Sequence, residues 1–142
     1  MSERRGLPLI KEFEGCKLTA YRDSVGILTI GYGETKGIHS GMTWTQAQAD
    51  STLAARYDEF EAGVKKLLKV QVDENELGAL TCFAYNVGLG NLAKSSVLRQ
   101  LNEGNEVEAA DALLQWDRAG GNVLPGLERR RKAERDLFLK EA

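Results

Sequence analysis

Apolar positions recur along this chain with two different periods. Leu7, Ile10 and Phe13 fall near helical spacing within residues 4–13, and Gly15 follows where helices commonly end in left-handed backbone. A helix closing at Glu14 is therefore predicted. From Leu18 and Ala20 through Val25, Ile27, Leu28, Ile30 and Tyr32 the chain is rich in strand formers, and Asp23-Ser24-Val25-Gly26 supplies turn chemistry between them. This predicts a β-hairpin with Thr29 in its returning strand. Gly31 and Gly33 leave room there for a ligand to approach the backbone. Residues 34–42 are polar and glycine-rich, a loop or weak third strand.

Beyond residue 44 the pattern is helical. Thr45 and Gln48 make a capping box ahead of Leu53, Tyr57, Phe60, Val64 and Leu67, a long run with a kink expected near Gly63. Asp73 and Glu76 make a second box before Leu77, Leu80, Ala84 and Val87, ending at Gly88. Ser95 or Ser96 opens a short helix stopped by Gly104, and Asn105 with Glu108 repeats the cap signature. Pro125 at a first helical position opens the last helix. The expected fold class is α+β in a single domain of residues 1–142. A small lobe of about 14–60 holds the hairpin, a helical lobe of about 61–142 is joined by the N-terminal helix, and a cleft lies between them.

Composition narrows the functional classes. With 142 residues, 42% hydrophobic and 28% charged, the chain can bury about two-thirds of its unfolded surface in one core. Nineteen Lys and Arg against 21 Asp and Glu leave a net charge of −2, which does not point to nucleic acid. The basic run Arg129-Arg130-Arg131-Lys132 reads as a solvated helix face with Glu128, Glu134 and Asp136 as partners. Nucleic-acid binding would need a wider basic surface. The longest apolar run near the N-terminus is Leu7-Pro8-Leu9-Ile10, too short for a signal peptide or a membrane span, so no stable membrane insertion and a cytoplasmic origin are expected. Cys16 and Cys82 are too few for a disulfide framework and read as small buried hydrophobes. His39 is the single histidine, without ligand-spaced companions, so a metal site is not expected.

The candidate chemistry lies in residues 14–33. Asp23 follows Glu14 by nine residues and Thr29 follows Asp23 by six, which places two carboxyls and a hydroxyl on tethered but different elements. Hydrolysis of a glycosidic bond needs one carboxyl to protonate the leaving oxygen and another to activate water or stabilise the cationic sugar. Glu14 would sit beside the negative end of its helix, a field that disfavours the ionised form. From spacing alone, a glutamate at a helix end and an aspartate in a turn are equally ordinary surface residues. Glu34 is a rival carboxylate close by. Tyr85 and Asn86 near a helix end offer a ring for a sugar face and an amide for an N-acetyl group; core and C-cap roles are the plainer reading.

E-x(8)-D-x(5)-T followed by I-G-x-G (Glu14, Asp23, Thr29 and Gly33) resembles the active-site signature of the phage-type lysozymes, endolysin muramidases that cut bacterial peptidoglycan. Asn86-x-Gly88, Trp116-x-x-Ala119-Gly120-Gly121 and Gly126-Leu127-x-x-Arg130-Arg131-x-x-Glu134-Arg135 are similar to further segments of that family, so the likeness spans about Leu9 to Leu139. It implies that Glu14 is the general acid, Asp23 the second carboxylate and Thr29 a hydroxyl that helps hold the attacking water. It also implies Gly33, Tyr85, Asn86 and Arg130 as substrate contacts, with Arg130 or Arg131 meeting the acidic stem peptide. Inversion, a monomer, no metal or organic cofactor, and a holin that gives access to the wall from the host cytoplasm complete what it implies. Glu34 departs from the pattern, which usually has His there. A lytic transglycosylase, a non-catalytic wall-binding module and a nucleic-acid binder acting through residues 129–132 are the alternatives.

Overall fold

The computed structural model describes residues 2–141. Its elements run α1 (Leu7–Glu14), β1 (Lys17–Arg22), β2 (Leu28–Gly31), α2 (Gln46–Leu67), α3 (Glu74–Val87), α4 (Leu89–Lys94), α5 (Ser96–Asn102), α6 (Glu106–Leu113), β3 (Arg118–Ala119), β4 (Asn122–Val123) and α7 (Pro125–Leu139). The architecture is α+β: a helical majority with a small antiparallel hairpin near the N-terminus and a second, minimal hairpin between α6 and α7.

The hairpin β1–β2 pairs Tyr21 with Thr29 and Arg22 with Leu28, and its register shifts between Lys17 and Tyr21. Residues 34–43 contribute two isolated bridges, Ile30 to Glu34 and Thr19 to Thr43, rather than a full third strand. The two strands are unequally buried. β1 is almost wholly solvent-exposed, whereas Thr29, Ile30 and Gly31 of β2 are buried. The hairpin therefore takes its stability from β2 and the residues following it, not from a sandwich.

Two apolar clusters hold the helices together. The larger, on α2 through α7, includes Leu80, Phe83, Leu92, Leu101, Leu113 and Phe138. The smaller joins Ile10 of α1, Tyr32 after β2, Leu53 and Tyr57 of α2 and Cys82 of α3. That second cluster fixes α1 and the hairpin against the helical body. Gly6 and Gly78 let the start of α1 cross α3 at backbone contact: a Cβ on Gly6 would meet the Gly78 carbonyl oxygen at 2.1 Å.

Both expected capping boxes form, at Thr45–Gln48 and Asp73–Glu76. The third signature does not: Asn105 makes no side-chain cap bond, and its Nδ2 donates to Gln100 Oε1 at 2.8 Å. α2 is one run of 22 residues through Gly63, and that glycine answers to packing: a Cβ there would lie 2.4 Å from Leu89 Cδ1. α4 is an element that the hydrophobic pattern does not predict. Among the described residues no helix is long and apolar enough to cross a membrane, and no group of three His, Cys, Asp or Glu could hold a metal ion.

The Glu76 cap titrates within reach of experiment. Burial pushes its carboxyl up to about 6, against the lowering effect of the Asp73 N–H that it accepts. A raised value in the folded state means the proton is held more tightly there than in the unfolded chain. The associated stability is full below about 4.5 and is lost as pH rises through about 6. Relative to Glu76→Gln, the unaltered protein should therefore gain about 1–2 kcal/mol between pH 7 and pH 4.5, read from paired thermal melts.

Candidate active site

Three helices and one tight turn converge on Glu14. It is the last residue of α1, where Gly15 at φ 67° ends the helix and its N–H returns to the Lys11 carbonyl. Glu14 Oε2 accepts a 2.6 Å hydrogen bond from Arg130 Nη1 of α7. Arg130 is itself buried. Its Nη2 donates to the Cys82 carbonyl of α3 at 3.0 Å, and its Nε donates to Glu134 Oε2 at 3.2 Å. Burial works against the guanidinium charge, yet the Glu134 and Glu14 carboxylates beside it outweigh that cost and raise the Arg130 pKa. This positive charge lies against the Glu14 carboxylate, opposite in sense to the helix-end field expected from sequence.

The turn after β2 faces the other carboxyl oxygen. Ile30 and Glu34 exchange two 2.9 Å backbone hydrogen bonds, closing a loop with Gly31 and Gly33 at φ +65° and +98°. A Cβ on Gly33 would lie 3.5 Å from Glu14 Oε1. Tyr85 O–H donates to the Tyr32 carbonyl at 2.8 Å, which holds the turn from the α3 side. Burial raises the Tyr85 pKa, and the Glu34 and Glu14 carboxylates add to the effect, so this phenol stays a donor. Gly33→Ala should strain the left-handed backbone by about 1–2 kcal/mol. It should also cut turnover by about tenfold or more by moving the turn against Glu14. A melt together with a turbidity assay separates the two effects.

A groove of about 570 Å³ opens at Glu14, lined also by Glu12, Phe13, Asn86, Leu127, Arg129 and Arg130. Glu14, Asn86 and Arg130 are thus brought together. Asp23 and Thr29 stand on the hairpin, outside the lining of that groove. Asp23 organises the hairpin turn: its Oδ1 accepts from the Val25 and Ile27 N–H groups at 3.0 and 2.8 Å. Its Oδ2 has no hydrogen-bond partner among the described residues and is the oxygen left for a water. Thr29 is buried, and its Oγ1 donates to the Ile27 carbonyl at 2.9 Å. With that proton committed, Thr29 can meet a water only as an acceptor.

Several expectations need correction. The sequence has Arg130 and Arg131 meeting an acidic peptide, and residues 129–132 forming a solvated face. Instead the Arg130 and Arg131 side chains are 4% and 0% exposed, and both are paired with Glu134, which is also 0% exposed. Arg131 lies over the Phe83 ring at 4.8 Å and donates to Asn86 Oδ1 at 2.6 Å. Tyr85 is half-buried, with its ring tilted against Phe60 at 5.4 Å and its hydroxyl spent on the turn; it positions backbone rather than offering a free ring. Glu34 pairs with Arg56 of α2 at 3.4 Å and does not line the Glu14 groove. The Glu134 network leaves little trace in the sequence. Its one signal is the i,i+4 spacing of Arg130 and Glu134, which a solvated face shows equally well.

The phage lysozyme family pattern matches residues 11–134. The chain belongs to the phage lysozyme family. The endolysin of Bacillus phage B103 is 44% identical over 137 residues, covering 94% of this chain but 52% of that protein. This chain therefore spans about half the length of that relative. The endolysin of Salmonella phage P22 is 40% identical over 139 residues, with 94% of each chain covered. Among solved structures, the muramidase domain of SpmX from Asticaccaulis excentricus superposes with a TM-score of 0.91 at 35% identity, covering 99% of both chains. A lysozyme-like fold is thus shared across proteins that differ in well over half their residues.

Proposed function

We propose that this member of the phage lysozyme family is an endolysin that hydrolyses the β-1,4 bond between N-acetylmuramic acid and N-acetylglucosamine in peptidoglycan. The observation that carries the reading is Glu14: a partly exposed carboxyl at the mouth of a groove, with one oxygen gripped by a buried guanidinium. Glu14 protonates the glycosidic oxygen. Asp23 Oδ2, with Thr29 as acceptor, orients water on the opposite face of the sugar ring, and the bond breaks with inversion; this predicts carboxyl groups roughly 6.5–9.5 Å apart in the working state. Gly33 lets the sugar approach the backbone above Glu14, and the exposed Asn86 amide meets an N-acetyl group. Tyr85 and Arg130 act behind these contacts, one on the turn and one on the acid.

The chemistry calls for no metal or organic cofactor. The small lobe of about 14–60 and the helical lobe flank the saccharide as one monomeric unit, and a holin opens the route from the host cytoplasm to the wall. Loss of turbidity of outer-membrane-permeabilised bacteria, followed by mass spectrometry of the products, tests the reading. Hydrated reducing ends are expected. Products lighter by one water would assign the protein to the lytic transglycosylases, and wall sedimentation without clearing would make it a binding module.

A further inference from the structure

A second groove, of about 590 Å³, lies where the ends of α2, α4 and α5 meet, and it shares no lining residue with the groove at Glu14. Its floor is apolar, from Leu67, Ala93 and Leu98. Three cations, Lys69, Lys94 and Arg99, stand exposed on its rim. None has a carboxylate within 4 Å among the described residues, whereas ten other Lys and Arg side chains do. On a chain of net charge −2, three cations against one carboxylate, Glu103, make this a positively charged rim.

The ordinary reason for cations at these places is the negative end of each helix. That reason is weakened at the ends of α2 and α4, where a neutral group already satisfies one carbonyl each. Asn102 Nδ2 donates to the Leu67 carbonyl while its Oδ1 accepts from the Lys69 N–H, and Ser95 O–H donates to the Leu92 carbonyl. The two Asn102 bonds tie α2 to α5, so the groove walls are held before any ligand arrives. Its volume is that of a small-ligand site.

We propose that this groove is an accessory site for the carboxylate-bearing stem peptide of the wall polymer, an inference that rests on the proposed function. Small apolar side chains of such a peptide suit the floor formed by Leu67, Ala93 and Leu98. Its carboxylates meet Lys69, Lys94 and Arg99. Glu103, the one acid in the lining, faces the free amine of the peptide's basic residue. The site would hold the enzyme on a neighbouring strand while the Glu14 groove works.

The test uses Lys69→Gln, Lys94→Gln and Arg99→Gln combined in the Glu14→Gln chain, so that walls are bound and not digested. Neutralising the three exposed cations together should weaken sedimentation with purified sacculi by about tenfold. Glycan strands stripped of peptide by an amidase should bind the substituted and unsubstituted chains alike. As a direct probe, the tripeptide L-alanyl-γ-D-glutamyl-L-lysine should shift the amide resonances of Lys69, Leu98 and Asn102 in the unaltered protein and not in the triple variant. Unchanged binding to intact sacculi would overturn the proposal. So would a loss of binding that appears only while phosphate polymers remain on the wall and vanishes once hydrofluoric acid removes them. Wild-type clearing of bacteria judges the hydrolase reading separately.

Discussion

Replacing Glu14 with Gln should leave a folded protein that no longer clears permeabilised bacteria, with turnover reduced by about 10²–10⁴-fold. The fold should survive for local reasons. A glutamine oxygen can still accept from Arg130 Nη1, and the guanidinium keeps Glu134 and the Cys82 carbonyl. The Gly33 turn closes through its own backbone pair and through Tyr85, neither of which uses Glu14. What the amide cannot do is deliver a proton to the leaving oxygen. The matched measurements are a thermal melt, expected to move little, and the rate of turbidity loss, expected to collapse. Clearing at more than a tenth of the normal rate would remove Glu14 from the acid role. A large fall in melting temperature would instead show that the Glu14–Arg130 pair holds the fold and that the loss of activity is secondary.

What can be read from the sequence is whatever a few neighbouring residues decide among themselves. The hairpin turn is set by the Asp23 side chain accepting from N–H groups two and four residues on, and each capping box closes within four residues. The tether from Glu14 to Asp23 and Thr29 is likewise short, so its spacing is visible without any knowledge of packing. Misreadings arise where distant chain decides the outcome. Arg130 and Glu134 are four apart in either a solvated or a buried helix, and only the contact of α7 with α3 puts them at Cys82 and Phe83. Tyr85 is a candidate sugar ring until Phe60 and the Tyr32 carbonyl claim both ends of it. Six residues from Leu89 are too few for a helical period to register, so α4 has no readable signal.

Glu134→Ala should be the most destabilising single change in the site region, costing about 3–5 kcal/mol, because it strips the shared counter-charge from two buried guanidinium groups. Glu134 Oε1 lies 2.9 Å from Arg131 Nε, and its Oε2 accepts from Arg130 Nε at 3.2 Å and from Cys82 Sγ at 3.1 Å. Among the described residues, Arg131 would retain the Phe83 ring and Asn86, and Arg130 would retain Glu14 and the Cys82 carbonyl and sulfur. For a chain of this length the loss corresponds to a drop in melting temperature of about 10 °C or more. The exposed neighbour pair Lys132–Glu128 is the internal control. Lys132→Ala should shift stability by less than about 0.5 kcal/mol, since water already screens that charge. The same deletion at Glu134 should reach the chemistry: without a carboxylate on its Nε edge, Arg130 can turn away from Glu14, so turnover per folded molecule should fall even at temperatures where Glu134→Ala is fully native. A variant that melted like the wild type would mean that the two arginines find another anion or reach solvent. In that case the buried network would not be what holds Glu14 at the mouth of its groove.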